Sequence, residues 1–295
     1  MSSHTHSRQV VVGYDASSPS EAALRWAARA AKKRDLPLLV LHAAERIQYT
    51  QDEGSGVWDK SRALADAKDI AQGGAERVTA SFPDVEVKTA GSLFTAKVAL
   101  GEVSTNSSMM VLGTNGRGKA GSFLLGSTAY AIAGYARCPV VIVQDGSDEL
   151  PSNEHPIVVG VNGTPGSERA METAIDAAKE WGSSISLVST WAPAEPWTNG
   201  PAGYTSVAEA SKDYQASAEK VNAETVARVS AEYPDLKVTG TVVKGKPVDA
   251  LVKAAAGGGL LVVGKRGYGS LVGSTVGSTT LGVLNSAKLP IMVVD

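Results

Sequence analysis

Only one cysteine, Cys138, occurs in the 295 residues, so no internal disulfide can form and the chain suits a reducing compartment. Histidine is almost as scarce, with four in all, and none stands at metal-ligand spacing from His42. No apolar run approaches the roughly 20 residues a membrane-spanning helix needs. Residues 1–8 are polar and lack the apolar stretch of a signal peptide. The formal net charge of −2 gives no bulk attraction to nucleic acid or to an anionic membrane. Together these absences predict a soluble, cytoplasmic protein without nucleic-acid or membrane partners. With 43% hydrophobic and 20% charged residues there is enough apolar surface for a packed core. The length suggests two domains of roughly 150 residues each.

An internal repeat agrees with that count. The string Val10-Val11-Val12-Gly13-Tyr14-Asp15 returns as Ile157-Val158-Val159-Gly160-Val161-Asn162, at an offset of 147 positions (162 − 15). Ser20, Glu21, Ala23 and Ala27 find Ser167, Glu168, Ala170 and Ala174 at the same offset. Gly113, Gly116 and Gly126 pair with Gly264, Gly267 and Gly277 at 151 (264 − 113), so the halves differ by small loop insertions. A polar, proline-broken stretch near 144–156 reads as the linker between domains 1–146 and 153–295.

Each half alternates short apolar runs with Ala-rich amphipathic stretches. The runs at 10–12, 38–41, 109–112 and 140–143, with 157–161, 185–188, 260–263 and 291–294, read as strands buried on both faces of a parallel sheet. Weaker runs at 85–89 and 237–243 add one strand per half. Helices are expected at 20–33, 52–80, 167–180 and 206–232, among others. Ser18-Pro19-Ser20-Glu21 reads as a capping box, and Thr164-Pro165 opens the equivalent helix. Five strands alternating with about four helices predict a doubly wound α/β sheet in each half. The fifth strands would be bare edges, and pairing them within one chain would form a pseudo-dimer.

Ligands of such sheets bind beyond the carboxyl ends of the strands, where strand order reverses. Two features fall there in both halves. One is the acid or amide after strand one, Asp15 and Asn162, which follows Gly13 and Gly160. The other is a glycine loop after strand four with the spacing G-x2-G-x9-G-S, running from Gly113 to Ser127 and from Gly264 to Ser278. Glycines let the backbone approach a ligand closely. The closing Gly-Ser opens a helix whose free N–H groups favour phosphate. Within the first loop Asn115, Arg117 and Gly118, and within the second Arg266, are further candidate contacts. Glycines after strands also serve as plain turns, but identical spacing at two equivalent strand ends favours phosphate binding. Gly113 to Lys119 also fits the start of a Walker A loop. Ala120 stands where the Mg²⁺-binding hydroxyl belongs, and the second half has no such lysine, so that match is read as coincidence.

With Asp15, the helix near Ser20 and the doubled glycine motif, the sequence resembles the universal stress protein family, in its tandem two-domain, ATP-binding form. The resemblance implies strand order 3-2-1-4-5, ATP held between strands one and four, and dimer contacts through strand five. Asp15 and Ala43 would then face adenosine, Gly113 and Gly116 the ribose and phosphates, and Gly126, Ser127 and Thr128 the phosphate tail. The matching positions are Asn162, Thr190, Gly264, Gly267, Gly277, Ser278 and Thr279. The family usually has Asp where Asn162 stands. Its G-x-P after the third strand is Gly245-Lys246-Pro247 in the second half, set against Gly91-Ser92-Leu93 in the first with a longer stretch to the next strand.

The resulting expectation is an ATP-binding regulator or sensor in stress or growth arrest, with Mg²⁺ or Mn²⁺ as an accompanying ion. A homodimer and an unidentified regulatory protein partner belong to the same expectation. No catalytic residue is assigned: neither H-x-G-H nor S-G-G-x-D-S, carried by enzymes of related fold, occurs near the first strand. A slow ATPase or adenylate-transferring enzyme, and a nucleotide-independent scaffold, are the rival readings. Cys138 reads as a small buried hydrophobe, and His42 as either a packed histidine or a nucleotide contact.

Overall fold

The computed structural model describes residues 8–44, 59–116, 125–147, 149–193, 206–266 and 276–295. They fall into two compact units, Met1–Asp148 and Glu149–Asp295.

In the first unit the central strand β1 (Gln9–Gly13) carries Val10, Val11 and Val12, all fully buried because helices cover both sheet faces. Helix α1 (Ser18–Arg34) follows, then β2 (Leu38–Ala43), α2 (Lys60–Ser81), β3 (Val87–Ser92), α3 (Ala96–Val103), β4 (Ser107–Gly113), α4 (Ser127–Tyr135) and β5 (Val140–Val143). The order β3-β2-β1-β4-β5, with every pairing parallel, is that of a doubly wound sheet. From β1 the chain moves outward to β2 and β3, then crosses back to β4. The connections leaving β1 and β4 therefore diverge, and a crevice opens at their carboxyl ends.

The second unit repeats the plan with β6 (Ile157–Gly160), α5 (Pro165–Trp181), β7 (Ile185–Trp191), α6 (Val207–Glu232), β8 (Val238–Lys244), α7 (Pro247–Ala255), β9 (Leu260–Gly264), α8 (Ser278–Ser286) and β10 (Ile291–Val294). Its order, β8-β7-β6-β9-β10, is again all parallel. An ion pair between the first and second helices is duplicated too: Glu21 meets Arg77 at 3.1 Å, and Glu168 meets Arg228 at 2.5 Å. The glutamates are 147 positions apart and the arginines 151; the second helices start 147 positions apart and end 151 apart, so the four-residue slip is one extra turn of α6, 26 residues against 22 in α2.

Three local expectations shift. The first helix is capped by Ser17, not Ser18: its side chain accepts the Ser20 N–H, so Pro19 is the second helical residue. Glu21 turns instead to the Tyr14 hydroxyl, 2.5 Å away. The helix expected over 52–80 starts at Lys60 behind the cap Asp59, and 52–58 lie outside the described residues. Finally, Gly91-Ser92-Leu93 is not the partner of Gly245-Lys246-Pro247. α3 and α7 begin at the 151 offset, so Phe94-Thr95-Ala96 is the true counterpart and no longer stretch follows it. Gly245 has φ +147, a conformation open to glycine, whereas the first unit places Phe94 there. Among the described residues, no helix is long and apolar enough to cross a membrane.

Candidate functional site

A cavity of about 370 Å³ opens at the carboxyl ends of β1, β2 and β4, and one of about 320 Å³ at those of β6, β7 and β9. Both lie at the reversal of strand order and within the usual size range of small-molecule sites.

The loop leaving the first strand is built the same way twice. Ala16 and Gly163 adopt positive φ, 61° and 74°, which turns the chain toward the helix. Asp15 Oδ1 then accepts the Ser17 N–H at 3.0 Å and its hydroxyl at 2.5 Å. Asn162 Oδ1 accepts the Thr164 N–H at 3.2 Å and its hydroxyl at 2.7 Å. Asp and Asn are interchangeable in this turn because only one oxygen is used. Ser20 and Ser167 close it from inside the helix, each accepting the backbone N–H of residue 15 or 162 (3.3 and 3.4 Å).

At the second strand, His42 Nδ1 lies 2.7 Å from the Tyr14 carbonyl. A carbonyl only accepts, so this nitrogen carries its hydrogen. Ser189 makes the equivalent bond to the Val161 carbonyl at 3.0 Å. His42 is therefore a packed histidine that also lines the cavity, and it joins the two readings the sequence left open.

The fourth strand ends in glycine for a packing reason. A Cβ on Gly113 would lie 2.6 Å from the Pro19 carbonyl carbon, and one on Gly264 would lie 2.6 Å from the Gly166 carbonyl oxygen. The first turn of the first helix thus presses directly on the strand end. On Gly116 a Cβ would meet Asp15 Oδ2 at 2.7 Å. The far end of each loop is tied back: Gly126 N–H donates to the Thr114 carbonyl (2.7 Å) and Gly277 N–H to the Lys265 carbonyl (2.9 Å). Gly126 and Gly277 are then the N-caps of α4 and α8, and neither helix receives a side-chain cap. Their first-turn N–H groups open on the cavities, where an anion would satisfy them.

The first cavity thus gathers Gly13, Asp15, Ala43, Gly113, Asn115, Gly116, Gly126, Ser127 and Thr128. The second gathers Gly160, Asn162, Thr190, Gly264, Arg266, Gly277, Ser278 and Thr279. Arg117, Gly118 and Gly267 lie outside the described residues. The sequence did not single out Tyr14, Ser20 as a wall residue, or the apolar side formed by Leu100 and Leu251. Ser17-x-x-Ser20 and Thr164-x-x-Ser167 were a usable signal for the turn. Leu100 and Leu251 sit mid-helix, far along the chain from the first strand, and carry no local signal.

The two cavities differ in detail. Tyr14 is replaced by Val161; its hydroxyl is pushed up from 10.0 to about 12 by burial first, then by the hydrogen bond to Glu21 and the charge of that carboxylate. Arg266 lines the second cavity, while the neighbouring Lys265 is buried and turned to Asp295 Oδ2, 3.1 Å away. Cys138 takes no part in either cavity; burial pushes its thiol up to about 12. Among the described residues, no group of three or more His, Cys, Asp or Glu is placed to hold a metal.

The sequence matches the profile of the Universal stress protein family twice, over residues 6–144 and 154–295. It is 34% identical to the universal stress protein Rv2005c of Mycobacterium tuberculosis, with 96% of each chain covered. It is 30% identical to Rv2623 of the same organism, covering 99% of this chain and 98% of that one. Among solved structures, a universal stress protein from Archaeoglobus fulgidus superposes with a TM-score of 0.68 at 19% identity, covering 98% of this chain and 96% of the other, a likeness of fold. The chain belongs to the universal stress protein family.

Proposed function

We propose that the protein binds ATP in both cavities and acts as a nucleotide-dependent regulator in a stress or growth-arrest response. The observation that carries this reading is the duplicated pairing of a strand-end glycine loop with an uncapped helix N-terminus. Twice, a glycine-cornered loop runs from the end of the fourth strand to a helix N-terminus without a side-chain cap. Such an end attracts phosphate through its free N–H groups and the helix dipole. Gly113, Gly116 and Gly264 leave no room for a Cβ because Pro19, Asp15 and Gly166 fill that space, which holds the strand end close against the first-strand turn and the first helix at each cavity.

In this reading Ser127, Thr128, Ser278 and Thr279 hold the phosphate tail. Ala43 and Thr190 bound the adenosine end, with Asp15 and Asn162 between. Mg²⁺ or Mn²⁺ accompanies the nucleotide. A homodimer and a regulatory protein partner belong to the same proposal and rest on the family resemblance; cytoplasmic residence rests on the single cysteine, which suits a reducing compartment.

Isothermal titration of the full chain with ATP in the presence of Mg²⁺ tests it. Micromolar binding that approaches two nucleotides per chain is expected, with Gly116→Glu removing the first site and Gly277→Glu the second. Absence of binding by the wild type, or binding untouched by the double variant, refutes the site assignment.

A further inference from the structure

We infer that Asp295 is a positioning residue of the second cavity: by neutralising the buried Lys265 it holds the root of the second glycine loop in place. The first cavity has no counterpart. The inference rests on the nucleotide-binding reading and deepens it, by naming something that one site depends on and the other does not.

Lys265 directly follows β9, and its main chain ties the loop at both ends. Its N–H donates to the Val294 carbonyl at the end of β10 (2.6 Å), and its carbonyl accepts the Gly277 N–H (2.9 Å). Its ammonium meets Asp295 Oδ2 at 3.1 Å. Gly264 before it and Arg266 after it both line the cavity, and Gly277 is the N-cap of α8, whose first-turn N–H groups open there. A displacement of Lys265 is therefore passed to both the strand-end side and the helix side of the cavity.

The Lys265 side chain is only 6% exposed, a burial that lysine tolerates only when paired. Asp295 is its ion-pair partner among the described residues. That acid is itself placed from a second side, since Arg169 Nε on α5 donates to the Asp295 main-chain carbonyl at 2.5 Å. Removing one member of a buried pair leaves an uncompensated charge, which costs more than replacing both members by apolar groups. Deprived of Asp295, the ammonium moves toward water and pulls on the backbone that anchors the loop.

The first unit shows the same root built without charge. Its backbone ties are equivalent: Thr114 N–H donates to the Val143 carbonyl (3.2 Å), and Gly126 N–H to the Thr114 carbonyl (2.7 Å). Yet Thr114 stands for Lys265 (265 − 114 = 151), Gln144 for Asp295 (295 − 144 = 151) and Ala22 for Arg169 (169 − 22 = 147). No ion pair can form between those residues.

The test reads each site separately in the full chain, using Gly116→Glu to leave the second and Gly277→Glu to leave the first. ATP is titrated calorimetrically in Mg²⁺, and thermal unfolding of the same variants is followed by circular dichroism. In the Gly116→Glu chain, Asp295→Ala weakens binding about tenfold, within the range for residues that share one network. In the Gly277→Glu chain it changes nothing. Simple charge attraction predicts the opposite sign, since removing a negative charge near a polyphosphate tightens binding. Lys265→Met leaves no charge to neutralise, so it costs little alone and restores affinity when added to Asp295→Ala. Four outcomes overturn the inference: unchanged or tighter binding by Asp295→Ala, failure of the rescue, a large loss from Lys265→Met alone, or a weakening fully accounted for by unfolded protein. No binding by the Gly116→Glu chain with the pair intact refutes the nucleotide reading of that cavity instead.

Discussion

Gly73 and Gly74 are adjacent in the middle of α2 and offer a controlled comparison of helix propensity with packing. Replacing either glycine by alanine in a helix interior gains about 1 kcal/mol from propensity. A Cβ on Gly73 meets nothing within 4 Å, so Gly73→Ala keeps the whole gain. A Cβ on Gly74 would lie 2.8 Å and 2.9 Å from two carbons of the Tyr14 ring and 3.1 Å from Val40 Cγ1. Tyr14 is only 3% exposed and held by Glu21 through its hydroxyl, so the ring cannot simply swing away. Overpacking of this kind costs about 1–3 kcal/mol, which cancels or outweighs the propensity gain. Thermal unfolding followed by circular dichroism should therefore show Gly73→Ala raised by about 2–4 °C and Gly74→Ala unchanged or lowered. Because Tyr14 lines the first cavity, Gly74→Ala should also weaken nucleotide binding there and spare the second site. The second unit supports this logic from its own sequence: at the same 151 offset Gly74 becomes Thr225, and at 147 Tyr14 becomes Val161, a larger helix residue facing a smaller strand-end residue. Equal stabilisation by the two alanines would refute the packing argument.

Asn222 on α6 is buried and donates to Ser189 Oγ at 3.2 Å and to the Thr241 carbonyl at 3.3 Å, while a Cβ on Gly240 would fall onto its Oδ1. Asn222→Ala should destabilise by about 1–3 kcal/mol. In that background Gly240→Ala should be better tolerated than in the wild type, by a coupling of about 0.5–3 kcal/mol in a double-mutant cycle from urea unfolding. Alkaline pH should also destabilise the protein. Tyr14 is raised from 10.0 to about 12 and Cys138 from 9.0 to about 12, so both hold their proton more tightly in the folded state. Their contributions are complete below pH 9 and are lost as pH climbs toward 12, and Tyr14→Phe should flatten the upper part of that decline. A urea midpoint that stays level from neutral to strongly alkaline pH would contradict both assignments.

Much of the fold was legible because it is written twice. Val140–Val143 and Ile291–Val294 are short, fully apolar runs bounded by polar residues, and their limits were read to the residue. β3 was misplaced by two or three residues because its burial is partial and its sequence, Val-Lys-Thr-Ala-Gly-Ser, carries little apolar signal. The cap of α1 was read one position late because Ser17 and Ser18 are both good caps, and only the geometry shows which side chain reaches Ser20 N–H. The pairing of Gly91 with Gly245 failed because two glycines near a strand end look alike, while the starts of α3 and α7 decide the register. The glycine cradle was the most legible part of the candidate site, since fixed spacing at strand ends reflects backbone contacts that tolerate no side chain. The reason for Gly113 was only half visible: its missing Cβ makes room for the backbone at Pro19, a contact 94 positions away in sequence.

The central claim is that each unit holds one nucleotide. The most direct test is the amount of ATP bound per chain at saturation in Mg²⁺, measured on the full protein and on the Gly116→Glu and Gly277→Glu variants. The account predicts close to two for the wild type and close to one for each variant. A wild type that binds none, or variants that still bind two, would contradict it.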